Sequence, residues 1–231
     1  AMTVELLKAA GLKEFQISIG QVDFFKALVD DSGMSEETIQ ELRQLISNKN
    51  YFGVEELLKG QNLSESLSEA FAELPQMFGS VEVLEKAKKL TSNPEALSAV
   101  KRLEEIYEIL KVYGCEKYIA FDFGMLSKFR YYTGIIFQAY TYGTGEPLIK
   151  GGRYNELMKH FGKPASSIGF AIVVDNLMLA LSRQKLTVPS GDKTVVITYE
   201  AGELKKAIQE AITLREEGKK VALCPKKEEQ E

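Results

Sequence analysis

The residues best equipped for chemistry in this 231-residue chain fall in two short stretches, Tyr131-Tyr132-Thr133-Gly134 and Lys150-Gly151-Gly152-Arg153-Tyr154. If residues 131–138 form a strand, alternation puts Tyr132, Gly134, Ile136 and Gln138 on one face and Tyr131, Thr133, Ile135 and Phe137 on the other. A glycine on the Tyr132 face leaves room for a group to approach the sheet. Gly151 and Gly152 permit positive φ or close backbone contact, and Arg153 and Tyr154 follow as a planar donor fork and an amphipathic ring. That combination suits a small polar zwitterion or a nucleotide. The same residues also have a purely structural reading, with the tyrosines in a sheet core, the glycines in a bulge or turn, and Arg153 in an ion pair. Asp122, on an otherwise apolar strand, reads as a structural carboxylate. Lys128 and Arg130 are available to an anion, although a solvated loop is the simpler account of both.

Composition removes most other chemistries. His160 is the only imidazole, in a helix-like stretch before Gly162, so a histidine general base or a Ser-His triad has little to build on. Cys115 and Cys224 lie far apart, and with one histidine no ligand spacing for zinc or an iron-sulfur cluster exists; no metal site and no cofactor are expected. There is no phosphate-loop motif, and the glycines do not follow dinucleotide-binding spacing after a strand. A net charge of -4, from 29 basic and 33 acidic residues, supplies no general attraction to a polyanion. No stretch approaches the roughly 18 to 20 apolar residues of a spanning helix and the start is not a secretory signal, so no membrane association and a cytoplasmic location are expected.

These residues must be held by a mixed scaffold. Phe15, Ile17 and Ile19 alternate with Gln16 and Ser18 as in a half-covered strand that Gly20 ends, and Val22 to Val29 then takes helical spacing. Residues 34–112 read as mostly short helices with few strand signals: Ile39, Leu42 and Ile46 mark one face, and Leu63, Leu67, Phe71 and Leu74 another that stops at Pro75. Asn93-Pro94 has the form of a cap followed by proline at the first helical position. After Gly114 the period returns to two through Ile119, Phe121 and Phe123, then Tyr131 to Tyr142, a turn at 143–147, and Ile168 to Val174 before a short helix from Asp175. The expected fold is α+β: an antiparallel core from 1–33 and 113–184, a helical insertion at 34–112, a linker at 185–193, and a partial α/β module at 194–231. In that module Thr194 to Thr198, Glu203 to Glu217 and Lys220 to Cys224 form one βαβ unit, with a frayed end at Lys226 to Glu231.

The same residues carry a resemblance. Ser127-Lys128-Phe129-Arg130-Tyr131-Tyr132-Thr133-Gly134, then Gly151-Gly152-Arg153-Tyr154, then Ile168-Gly169-Phe170-Ala171-Ile172 resembles the histidine-recognising motifs and the following class II motif of histidyl-tRNA synthetases. The run is also similar to their catalytically silent relative, the regulatory subunit of ATP phosphoribosyltransferase in histidine biosynthesis. The resemblance extends from Phe15 to Leu181, and more weakly into the terminal module, which is similar to part of an anticodon-binding domain. It implies a class II aminoacyl-tRNA synthetase-like sheet in which Tyr132, Thr133, Gly134, Gly151, Gly152, Arg153 and Tyr154 line a histidine pocket.

Departures from the synthetase pattern favour the regulatory relative. Where synthetases open Arg-Gly-Leu-Asp-Tyr-Tyr-Thr-Gly with arginine, this chain has Ser127, with Lys128 for the glycine and Arg130 for the aspartate. Where the late class II motif ends in Glu-Arg, the chain has Asp175 and Asn176, and asparagine brings no positive charge to a polyphosphate. The earlier class II elements belong before Phe15, and the chain is expected to be a fragment without them. The resemblance therefore implies a non-catalytic subunit that responds to L-histidine and assembles with the catalytic phosphoribosyltransferase subunit, possible homodimerisation, and no binding of tRNA. The alternative is a segment of a divergent histidyl-tRNA synthetase, and a third reading is a scaffold with a vestigial pocket.

Overall fold

The computed structural model describes residues 1–126, 131–186, 194–200 and 202–226. It divides into two units, Ala1–Leu186 and Thr187–Glu231. The first opens with helix α1 (Met2–Ala9), which buries Val4 and Leu7, and continues into strand β1 (Gln16–Gln21). Gly20 lies inside this strand rather than ending it. Gln21 instead closes β1 and caps α2 (Val22–Asp30), its side chain accepting from the Asp23 N–H. Helices α3 (Glu36–Ser47), α4 (Tyr51–Lys59) and α5 (Glu65–Glu73) start at Ser35, Asn50 and Ser64, whose side chains accept from the N–H groups of Thr38, Gly53 and Leu67. Pro75 sits in the 3-10 turn after α5, and a short strand β2 (Phe78–Gly79) follows within the stretch read as helical.

Next come α6 (Glu82–Lys89) and the long α7 (Pro94–Val112), where Asn93 accepts from the N–H groups of Glu95 and Ala96 with Pro94 at the first position, as its sequence predicts. Strands β3 (Ile119–Asp122), β4 (Ile135–Tyr140), β5 (Ile149–Arg153) and β6 (Ile168–Ile172) complete the sheet before α8 (Val174–Arg183). The second unit contains β7 (Val195–Tyr199), α9 (Leu204–Glu216) and β8 (Val221–Pro225), with β7 and β8 parallel as a βαβ connection requires.

The main sheet has the order β2-β3-β1-β4-β5-β6. It is mixed: β1 pairs β3 in parallel, and the other neighbours are antiparallel. The sheet is antiparallel as expected except at this one junction. The chain leaves β1, runs through α2 to α7 and returns on the same side, and a crossover of that length allows parallel pairing where a hairpin does not. Helix α7 packs on α2 and β1, and the core between them holds Phe24 edge-on to Phe123 and Tyr107 edge-on to Phe121. Burial of β1 on both faces, from Ile17 to Gln21, makes it the rigid centre of the sheet.

The expected strand from Tyr131 is shorter than its composition suggests. It begins at Ile135, because Gly134 takes φ of 94°, a left-handed value open to glycine. The bend is pinned on both sides: the Thr133 N–H donates to the Arg153 carbonyl at 2.8 Å, and the Val22 N–H donates to the Gly134 carbonyl at 2.9 Å. Tyr132 and Gly134 therefore do not share a strand face with Ile136.

Candidate functional site

The sheet register lines up Gly20 of β1 opposite Ile136 of β4, Ile136 opposite Gly152 of β5, and Gly152 opposite Gly169 of β6. One row across four strands thus carries glycine at three of its four positions. Each glycine lies under a different group. A Cβ on Gly20 would stand 3.0 Å from the Asp122 carbonyl oxygen and 3.1 Å from that of Met125, so the turn after β3 rests there. A Cβ on Gly152 would come within 2.6 Å of the Tyr132 ring, and one on Gly169 within 2.6 Å of the Tyr154 hydroxyl oxygen. The glycines are what allow two tyrosines to lie against the sheet.

Tyr131 joins this cluster, its ring centroid 4.4 Å from that of Tyr132 and 6.2 Å from that of Tyr154. Burial, followed by the hydrogen bond with Tyr131, pushes the Tyr132 phenol up to about 12. It stays a neutral donor and acceptor at any physiological pH.

A cavity of about 460 Å³ opens beside Tyr132, bordered by Lys49, Asp122, Gln138, Tyr140, Lys150 and Gly151 among others. Asp122 is held in place: one carboxylate oxygen accepts from Lys49 Nζ at 2.6 Å and from the Gly124 N–H at 2.9 Å. Tyr140 donates to the Gln138 side-chain oxygen, and burial, with the Asp122 charge second, raises its phenol above the ordinary range. The wall therefore combines a fixed carboxylate, an amide, phenols and the Lys150 ammonium. This is a donor and acceptor set for a small polar molecule carrying both charges.

The residues singled out in the sequence do not all meet at this cavity. Tyr132 and Gly151 border it, and Gly152 lies beneath Tyr132. Thr133, Gly134 and Arg153 border a different cavity of about 610 Å³, with Gln21, Asp23 and Asn155. Alternation along β5 sends Gly152 and Arg153 to opposite faces. There Asn155 ties the segment together, its N–H donating to Thr133 Oγ1 at 2.9 Å and its side-chain oxygen accepting from Arg153 Nε at 3.0 Å. Burial raises the Asp23 carboxyl above the usual carboxylate range, against the opposing effect of Lys26 and Arg153. Gly151 and Gly152 are strand residues: a Cβ at Gly151 would stand 2.5 Å from the Gly169 carbonyl and from Phe170 Cβ, so close approach rather than positive φ explains the pair.

Ser127, Lys128, Phe129 and Arg130 lie outside the described residues, as do 187–193 of the expected linker and 227–231 of the expected frayed end. His160 belongs to the 3-10 segment Leu157–Phe161, which Gly162 closes at φ of 77°. Asp175 is exposed, and the Asn176 amide donates to the Pro147 carbonyl at 3.0 Å, which fastens α8 to the turn before β5. Three residues of the site escaped the sequence reading: Gly169, which appeared only within a motif, Gly20, taken as a terminator, and Lys49. The one local sign of Lys49 is its place in Asn48-Lys49-Asn50, a break between two helical periods.

A glycine-floored sheet of this topology, backed by α2 and α7, defines the class: a class II aminoacyl-tRNA synthetase-like α+β core. The solved structure of an ATP phosphoribosyltransferase regulatory subunit/histidyl-tRNA synthetase from Bacillus halodurans matches it with a TM-score of 0.77 at 31% identity, over 97% of this chain and 57% of that one. The histidyl-tRNA synthetase sequence profile matches residues 1–177. The chain belongs to the family of histidyl-tRNA synthetases and the ATP phosphoribosyltransferase regulatory subunits that share their fold. The regulatory subunit of Acetivibrio thermocellus is 38% identical over 218 residues, 94% of this chain and 52% of the relative. The ATP phosphoribosyl transferase complex of Thermotoga maritima contains a chain of the same fold, with a TM-score of 0.56 at 18% identity over 74% of this chain and 57% of that one. The chain spans about half the length of the regulatory subunits it matches. No helix among the described residues is long and apolar enough to cross a membrane, and no cluster among them has the acidic, thiol and imidazole groups to hold a metal ion.

Proposed function

We propose that this chain acts in a non-catalytic regulatory subunit of ATP phosphoribosyltransferase, binding L-histidine at the Tyr132 cavity and engaging the catalytic phosphoribosyltransferase subunit. The asymmetry of the site carries this reading. The tyrosines that the family uses for the amino acid are retained over Gly152 and Gly169. At the position where the synthetase pattern has a phosphate-gripping arginine, Asn176 is present and its amide is committed to a backbone carbonyl. Ser127 similarly replaces the arginine expected to stabilise charge during activation. Adenylate formation depends on aligned positive groups around the phosphates, and a site lacking them can bind an amino acid without activating it.

The named relatives support the same branch. Regulation further requires that histidine bind two assembly states with different affinity, so that its occupancy shifts the balance between them.

Calorimetric titration with L-histidine tests the proposal. The wild-type chain is expected to bind, and Tyr132→Phe, which removes a hydroxyl from the ring bordering the cavity, to bind about tenfold more weakly. Absence of binding at millimolar ligand in a folded sample overturns it. The profile match over residues 1–177 also favours a second reading, a synthetase segment. It predicts ATP-dependent pyrophosphate exchange, and none is expected here.

A further inference from the structure

Lys49 has a backbone φ of 55°, a left-handed value that non-glycine residues adopt at a cost. It sits between α3 and α4, where the Asn50 N–H donates to the Leu45 carbonyl at 2.9 Å and the Lys49 N–H to that of Ile46 at 3.0 Å. Asparagine or glycine would suit this conformation better, so the lysine is kept there by something other than local backbone preference. Its ammonium reaches across the fold to Asp122 at 2.6 Å, with the two side chains 42% and 14% exposed. The lysine side chain is partly open to solvent while the carboxylate it holds is largely enclosed, unlike an ordinary surface pair.

The neighbouring packing is arranged around this contact. A Cβ on Gly124 would stand 2.6 Å from Lys49 Nζ, so glycine is the residue that leaves the ammonium its path. Ser47 at the end of α3 adds a second tie, its hydroxyl donating to the Leu126 carbonyl at 3.3 Å. Both ends of the 122–126 turn are therefore held from the α3 terminus. That turn rests on Gly20, borders the same cavity as Tyr132, and shares the glycine row with it.

We propose that Lys49 is a positioning residue of the Tyr132 cavity, fixing Asp122 and the 122–126 turn so that ligand binding over Gly152 is linked to the packing of α3 and α4. The part concerning ligand rests on the cavity being the histidine site. The link gives the helical layer a route to sense occupancy, since a ligand held by the Asp122 carboxylate depends on the position that Lys49 gives it.

The chosen variant is Lys49→Asn, which suits the left-handed backbone and removes the ammonium along with the stem that carries it to Asp122. Thermal stability is expected to be unchanged or raised. Amide hydrogen exchange at 123–126 and 131–134 should nevertheless quicken by about tenfold, while β1 and β4 keep their protection. L-histidine affinity should fall by about tenfold and recover in Lys49→Arg, which restores the cation. Wild-type exchange rates in Lys49→Asn at those segments overturn the proposal, whatever the histidine result. A wild-type chain that binds no histidine overturns the functional reading, and the exchange rates then still decide whether Lys49 positions the turn.

Discussion

At the scale of single residues, the glycine row lets Tyr132 and Tyr154 lie against the sheet. Gly152→Ala should destabilise the chain by about 1–3 kcal/mol, read from urea unfolding, because its methyl meets both the Tyr132 ring at 2.6 Å and the Ile135 carbonyl at 2.8 Å. Gly169→Ala has a different character, since the first atom it meets is the Tyr154 hydroxyl. Its cost should shrink in a Tyr154→Phe background, and an additive double-mutant cycle would reject that geometry. Tyr132 makes a third prediction by ultraviolet titration. One phenol should ionise near pH 12, later than an ordinary tyrosine, and the late step should vanish in Tyr132→Phe. The sign follows from linkage. The folded value lies above the unfolded one, so stability from Tyr132 is fully present below about pH 10 and is lost as pH rises through about 12.

At the scale of elements, caps decide where helices begin and therefore where the cavity walls stand. Asn93 does more than cap α7: its amide also donates to Asp31 at 2.7 Å, joining the start of α7 to the end of α2. Asn93→Ala should cost about 1–2 kcal/mol, near the upper end for a lost cap, in equilibrium unfolding. This element was legible beforehand, because Asn-Pro at a helix start is a local signal. Strand β2 was not, since two residues have no period; it exists through pairing Phe78 with Asp122 and Gly79 with Phe121. The start of β4 was overextended for a related reason. Aromatic and β-branched residues from Tyr131 onward favour a strand, but tertiary hydrogen bonds to Val22 and Arg153 hold Gly134 in a bend.

At the scale of the whole molecule, charge is dispersed. Among the described residues, most ion pairs on the helices join neighbours three apart on exposed surfaces, such as Lys8 with Glu5, Lys59 with Glu56 and Lys111 with Glu108. Such exposed pairs contribute little and are screened by salt. Raising the salt concentration should therefore move the melting temperature by only a few degrees; a large loss would mean that electrostatics carries more of the fold than this pattern allows. The net charge of -4 bears on partners as well. We expect no gel shift of tRNA at physiological salt, consistent with a regulator rather than an aminoacylating enzyme.

The helical stretch at 34–112, the return to strands after it, the Asn93 cap, the βαβ unit and the two tyrosine-glycine motifs were set out by the sequence alone. All of these depend on period or on adjacent residues, and such signals survive without coordinates. Only the tertiary structure decided that β1 and β3 run parallel and that Gly20, Gly152 and Gly169 share one row. It also sent Thr133, Gly134 and Arg153 to a separate cavity and brought Lys49 to Asp122, 73 positions away. Strand register and long side-chain reach join residues across many turns of chain, and local spacing holds no record of either.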